Sequence, residues 1–260
     1  MGENSLIQWT DHTFNPWRGC HKISEGCKNC YAEALVTKRQ GLPVWGQDAA
    51  RKVAAESTWQ NPVKWNRDAA RDGVKRRVFC ASLADVFEDY RGPDRLAISA
   101  ARERLFALIL STPNLIWLLL TKRPENVRHM VPPAWLQAFP ANIWIGCTAE
   151  NQDRAEQRVP HLLSVPAVVR FVSYEPALGP VDWTRLRMLP VDSDPQAYLN
   201  ALTGHVAGPD DVLSHHIDWL IVGGESGPGA RPFNPVWADW AVSQCKTAGV
   251  PVFVKQMGSN

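Results

Sequence analysis

Short apolar runs alternate with helical patterns along the chain. The runs fall at 78–82, 115–120, 142–147, 167–173, 219–223 and 250–255, each apolar throughout and bounded by turn residues. Continuous apolar runs of this length fit parallel strands covered on both faces. Helical patterns lie between them at 93–110, 151–163 and 235–248, with another from Cys30 to about Gln40. An initial strand near 6–10 completes the alternation. Six or seven such units predict an α/β fold: a full or partial (β/α) TIM-type barrel of parallel strands rather than an open doubly wound sheet. Residues 184–217, rich in Pro, Gly and Asp, break the rhythm. They read as an insertion or lid within one domain spanning 1–260, not as a separate domain.

Polar residues cluster just past the expected strand ends. They are Ser82 to Asp85, Thr121-Lys122-Arg123, Thr148 to Asn151, Ser173-Tyr174-Glu175, Gly223 to Ser226, and Lys255-Gln256. Parallel barrels build their sites from these ends, because the following loops converge on one mouth. Thr148 or Asn151 also suits the cap of the next helix.

Composition narrows the class. With 45% hydrophobic and 21% charged residues over 260 positions, the chain is neither disordered nor fibrous. No apolar run approaches the roughly 18 residues that span a bilayer, so no membrane partner is expected. The first residues lack the basic-then-apolar order of a secretory signal. A reducing, cytoplasmic setting follows, and there six cysteines serve as thiols, metal ligands or catalytic groups rather than as a disulfide framework.

Net charge is +2, but it is uneven: residues 1–77 carry a balance of +5 and the remainder −3. The positive part ends in Lys64, Arg67, Arg71, Lys75, Arg76 and Arg77, just behind Trp59 and Trp65. Interleaved cations and aromatics suit a nucleic-acid backbone with unstacked bases. A solvated helix face over two core tryptophans produces the same pattern. Twelve tryptophans are scattered along the chain, which points to core positions for most of them.

The sharpest chemical signal lies at 17–33. Cys20, Cys27 and Cys30 fall within eleven residues, with glycines before the first two. Thiolates are soft ligands for zinc or iron–sulfur clusters. A structural zinc needs a fourth donor; His21 is present, though its place beside Cys20 makes it awkward to aim. Three cysteines with an open fourth position suit a [4Fe–4S] cluster. Cys80, Cys147 and Cys245 are isolated and read as small buried hydrophobes.

The triplet behind the first expected strand, Tyr31 directly after the third cysteine, and Gly223-Gly224-Glu225 resemble a radical S-adenosylmethionine (SAM) enzyme. The wording FNPWRGC…GCKNCYAE, LLLTKRP, NIWIGCTAEN, SYEPALG, IVGGESGPGARP and FVKQMG resembles a phage-associated family of uncharacterised three-cysteine-motif proteins, over nearly all the chain except about 184–217. Two features differ from the usual radical SAM pattern. Six residues rather than three separate the first two cysteines, and the Gly-Gly-Glu segment follows a late strand.

The resemblance implies a [4Fe–4S] cluster on Cys20, Cys27 and Cys30, with SAM on the fourth iron. Tyr31, Asp85, Glu150, Glu175, Gly223, Gly224, Glu225 and Lys255 are the implied cofactor-binding residues. Asn151, Gln256, Lys122, Arg123 and Arg231 are further polar candidates. It also implies an electron donor such as a flavodoxin or ferredoxin. The outline is similar to spore photoproduct lyase. With the basic segment, this suggests hydrogen abstraction from a nucleic-acid base or modified nucleotide, in phage DNA base hypermodification. The other readings are a radical SAM enzyme for a small molecule or peptide, and a non-catalytic zinc-binding interaction protein.

Overall fold

The computed structural model describes residues 5, 7–188, 197–207, 212–213, 215–227 and 229–258. Seven strands form the main sheet: β1 His12–Phe14, β2 Arg76–Cys80, β3 Leu115–Thr121, β4 Ile143–Thr148, β5 Val169–Tyr174, β6 Trp219–Gly223 and β7 Val252–Gln256. They lie in sequential order from β1 to β7. The registers of β1/β2, β2/β3, β5/β6 and β6/β7 are all parallel. A doubly wound sheet reverses direction at its switch point, and this order never reverses. The α/β class is as the apolar runs predict, and the winding is compatible with a partial (β/α) barrel.

The four long helices are α1 Glu56–Arg71, α2 Arg95–Ser111, α3 Gln152–Leu163 and α4 Pro235–Ala248. Among the described residues, none is long and apolar enough to cross a membrane. The chain clusters into two compact units: Met1–Thr121 with Pro140–Trp144, and Lys122–Phe139 with Ile145–Asn260.

In the first unit, β2 and β3 supply most of the buried sheet. Val78, Leu115, Trp117, Leu118 and Leu119 are all fully buried. The expected initial strand is displaced. Residues 7–10 form turns and Leu6 lies outside the described residues, while the strand is His12–Phe14. Its polar start hides it from an apolar-run search: His12 is buried and stacks on Trp65, centroids 4.3 Å apart. Helix α1 buries Trp59, Pro62, Trp65 and Ala69 on one face, a spacing of three or four residues that suits one helical stripe.

In the second unit, Asn151 caps α3 by accepting a hydrogen bond from the Arg154 amide at 3.0 Å. Asn234 does the same for α4 through the Val236 amide, and α4 ends at Gly249 with φ +73°. Within 184–217, the described residues include a small sheet of their own. Strands Leu186–Arg187, Tyr198–Asn200, His205–Ala207 and Val212–Leu213 form an antiparallel four-stranded sheet. Residues 189–196, 208–211 and 214 lie outside the described residues. Leu163, Met188, Leu199 and Val206 line a groove of about 450 Å³ between this sheet and the end of α3.

Candidate functional site

The three cysteines sit on one segment of the first unit, between the two-residue strand Trp17–Arg18 and the helical turn Tyr31–Glu33. That segment leaves the C-terminal end of β1 and is stitched to the C-terminal end of β2. Asn15 donates through Nδ2 to Ser82 Oγ at 3.0 Å and accepts from the Leu83 amide at 2.6 Å. The Gly19 amide donates to Leu83 O at 3.0 Å. Gly19 has φ +113°, and a Cβ there would collide with the Val44 carbonyl oxygen, so both the turn and the close approach call for glycine.

From Gly19 the chain enters the loop. Cys20 O accepts from the Gly46 amide at 3.0 Å. Lys22 pairs with Glu33 at 2.7 Å and donates to Lys28 O at 3.3 Å, joining the middle of the loop to its end. Ser24 Oγ lies 3.8 Å from Cys27 Sγ. Cys30 caps the helical turn, its carbonyl accepting from the Ala34 amide at 3.1 Å, and it packs on Ala32, Val36, Val44 and Leu83.

All three of these thiols are half-buried and unoxidised. Cys80, Cys147 and Cys245 are fully buried instead. Burial raises all three of those thiols, Cys147 and Cys245 to about 12, because the low-dielectric core disfavours a thiolate. The chain thus separates three half-buried cysteines on one loop from three fully buried ones in the core. As a donor set, the loop thiols fit a soft metal or an iron–sulfur group. Among the described residues, no three His, Cys, Asp or Glu side chains are already gathered as a metal centre.

Tyr31 and Asp85 join the same end of this unit. Tyr31, 51% exposed, donates through its hydroxyl to Ser82 O at 2.9 Å. Asp85 is buried, accepting from Thr121 Oγ1 at 2.7 Å and from the Phe87 amide at 3.0 Å. The carboxylate therefore ties the loop after β2 to the last residue of β3.

A buried ionic cluster beneath the loop is not evident from spacing. Arg51 and Glu88 side chains are 0% and 1% exposed, yet they form an ion pair. Arg51 donates to Glu88 Oε1 at 2.8 Å and Oε2 at 3.1 Å. Its other hydrogens go to the carbonyls of Val44, Gly46 and Ala49, and its guanidinium lies 4.4 Å over the Tyr90 ring. Glu88 Oε1 also meets His21 Nδ1 at 2.5 Å. Arg51 and Glu88 are 37 positions apart in the chain, so no local motif announces them. The one available signal is charge amid apolar neighbours, as in DVFEDY around Glu88.

The remaining cofactor-binding candidates lie in the second unit, at the ends of β4 to β7. Glu150 is fully buried and paired with Arg158 at 2.5 Å, an internal anchor beneath the strand ends. Glu175 receives Lys255 Nζ at 2.6 Å. Gln256 Nε2 lies 3.5 Å from Glu175 and donates to Ser226 Oγ. Glu225 accepts from Arg231 three times: from its amide and Nε at 2.9 Å and from Nη2 at 2.6 Å. That grip closes the loop after β6 on itself. A Cβ on Gly224 would lie 2.7 Å from Gly258 N, and one on Gly223 would touch Glu175. The paired glycines let β6 and the end of β7 approach. Lys122 reaches Thr148 Oγ1 at 3.5 Å, and Arg123 is buried.

The basic segment lies elsewhere. Lys64, Arg67 and Arg71 are on α1, and Lys75, Arg76 and Arg77 lead into or open β2. Because β2 runs from Arg76 to Cys80, this last trio sits at the end opposite the cysteine loop. Arg71 pairs with Asp68 and Asp72, Arg76 pairs with Asp72 at 2.5 Å, and Lys75 donates to Pro113 O. Trp59 and Trp65 are 3% and 2% exposed. They are core residues of the kind the solvated-helix reading requires, and they do not flank a mouth as stacking platforms for bases.

These features define a class: a sequentially wound parallel α/β protein with a three-cysteine loop and polar networks at its strand ends. The chain belongs to the family described as "Protein of unknown function (DUF5131)", whose model matches residues 4–260. No curated protein and no solved structure matches it.

Proposed function

We propose that this chain is an iron–sulfur enzyme of the radical SAM type, with Cys20, Cys27 and Cys30 as the cluster ligands. One observation carries the reading. The three half-buried cysteines share a single loop at the C-terminal ends of parallel strands, the end where such folds hold their chemistry. A cluster held there by these cysteines would, with SAM and an electron donor such as a flavodoxin or ferredoxin, supply reductive radical chemistry at unactivated carbon.

The protein's own residues do the positioning. Gly19 lets the loop pass close under Val44, and Lys22 ties Lys28 back across it. Tyr31 holds the Ser82 turn beside Cys30. Within the second unit, Lys255, Glu175 and Gln256 bring a cation, a carboxylate and an amide together past the ends of β5 and β7. The Glu225 carboxylate is taken up by Arg231 of its own loop.

The substrate reading favoured by geometry is a small molecule, a nucleotide or a peptide. Action on a base within phage DNA leaned on the basic segment, whose Lys75, Arg76 and Arg77 sit at the other end of β2 and whose Lys64, Arg67 and Arg71 lie on α1. The experiment is anaerobic reconstitution with iron and sulfide, followed by incubation with SAM and a reductant. The expected result is brown protein with close to four irons per chain that releases 5′-deoxyadenosine. Single Ala variants of Cys20, Cys27 or Cys30 lose both properties while their far-ultraviolet spectra stay native. A colourless protein holding one zinc makes it an interaction module instead.

A further inference from the structure

An arginine and a glutamate lie fully buried beneath the cysteine loop. Two charges are costly to keep out of water, and apolar residues of the same size would serve stability as well. Yet the Arg51 and Glu88 side chains are 0% and 1% exposed. Their contacts converge on one short stretch, Gly19-Cys20-His21, and reach it in three ways.

At Gly19 the approach is steric: a Cβ there would lie 2.8 Å from Arg51 Cδ. At Cys20 it runs through the backbone. Arg51 Nη2 donates to Gly46 O at 3.0 Å, and the Gly46 amide donates to Cys20 O at 3.0 Å. Cys20 also forms a parallel bridge with Trp45, the residue before Gly46. At His21 the approach is polar, with Glu88 Oε1 meeting Nδ1 at 2.5 Å. Cys20 Sγ lies 3.5 Å from His21 O. The residue that Glu88 holds is thus one that the sulfur rests on.

The other two cysteines are placed by different means. Cys27 ends the helical turn Glu25–Cys27 and lies beside Ser24. Cys30 opens its own helical turn and packs on Ala32, Val36 and Leu83. A guanidinium–carboxylate fork has a fixed planar geometry that apolar packing lacks. Metal–ligand distances tolerate only about 0.2 Å of error, so a rigid support under one ligand has a use that stability alone does not supply.

We infer that Arg51 and Glu88 are positioning residues for Cys20, the first of the three loop cysteines. The inference takes its meaning from the proposed function, since a ligand cysteine needs a set place. The placement itself is a property of the metal-free chain and is measured there.

The full chain, reduced and free of metal, is treated with iodoacetamide, and each of its six cysteines is followed by mass spectrometry. Cys80, Cys147 and Cys245 are fully buried and report global unfolding. Cys27 and Cys30 report loosening of the loop as a whole. In Glu88→Gln and in Arg51→Lys, Cys20 is expected to react roughly tenfold faster than in the native chain while the other five change by less than about twofold, as opening confined to one segment requires. An unchanged Cys20 rate overturns the inference. Equal acceleration of Cys27 and Cys30 also overturns it, because the pair then supports the whole loop. Acceleration of the core thiols in both variants overturns it as well, because the pair then serves folding alone. Reconstitution of the native chain with iron and sulfide tests the proposed function separately. Protection of Cys20, Cys27 and Cys30 from iodoacetamide supports that function. A native chain that takes up no iron overturns it, and the metal-free rates still decide the placement of Cys20.

Discussion

At the scale of single residues, Gly19 shows how backbone geometry positions a chemical loop. Its φ of +113° is open to glycine and strained for other residues, and its missing side chain leaves room for the Val44 carbonyl and Arg51. Gly19→Ala is therefore expected to cost about 1–3 kcal/mol, the usual range for a residue forced into such a conformation. A lower urea midpoint with weaker iron uptake checks this; an unchanged midpoint shows that the loop reaches its place without the glycine. That the three cysteines share one loop was legible, because spacing is a local property of sequence. Glu88 and Arg51 were not, because their meaning arises only when the loop after β2 and the segment before α1 meet. Glu225 is the opposite case. Its motif was visible, but its carboxylate is occupied by Arg231 from its own loop, a partnership that the letters Gly-Gly-Glu do not convey.

At the scale of elements, apolar runs located six of the seven main strands because burial on both faces leaves little room for polar positions. They failed at β1, whose buried His12 stacks on Trp65 instead of joining an apolar run. Helix α1 was concealed by its exposed charge. The informative residues were Trp59, Trp65 and Ala69, which place one stripe inside while Lys64, Arg67 and Arg71 stay outside. Arg67 and Arg71 are 76% and 69% exposed, and their ion pairs with Asp68 and Asp72 are of the screened surface kind. Neutralising Lys64, Arg67 and Arg71 together is expected to leave the unfolding midpoint close to native, because screened surface pairs contribute little. It should leave iron loading and SAM cleavage at native levels. Chemical unfolding and deoxyadenosine release measure the two. A large loss of SAM cleavage with folding intact would return this face to the reaction.

At the scale of the whole molecule, burial of three core thiols and one core phenol sets how stability responds to high pH. Burial pushes Cys147 and Cys245 up to about 12, and Cys80 and the Tyr174 hydroxyl also upward. Each raised group stays neutral when folded at a pH where the unfolded chain already ionises. Its contribution is complete below the unfolded thiol value, near 9, and disappears as pH climbs toward the folded value. The urea midpoint should thus fall steadily between about pH 9 and 12. Replacing Cys147 by Ala should flatten part of that slope. An equal slope in that variant assigns the alkaline loss to other groups.

Arg51 gathers the carbonyls of Val44, Gly46 and Ala49, three residues that precede it in the chain, and then reaches Glu88 beyond them. The stretch from 44 to 51 is consequently knotted around a side chain of its own. It has little capacity to fray one residue at a time, since releasing any part uncovers the guanidinium that holds the rest. Proteases that need an extended strand in their cleft should find this stretch closed until the knot gives way as a unit, and the backbone of Cys20, fastened to Gly46, is freed in the same event.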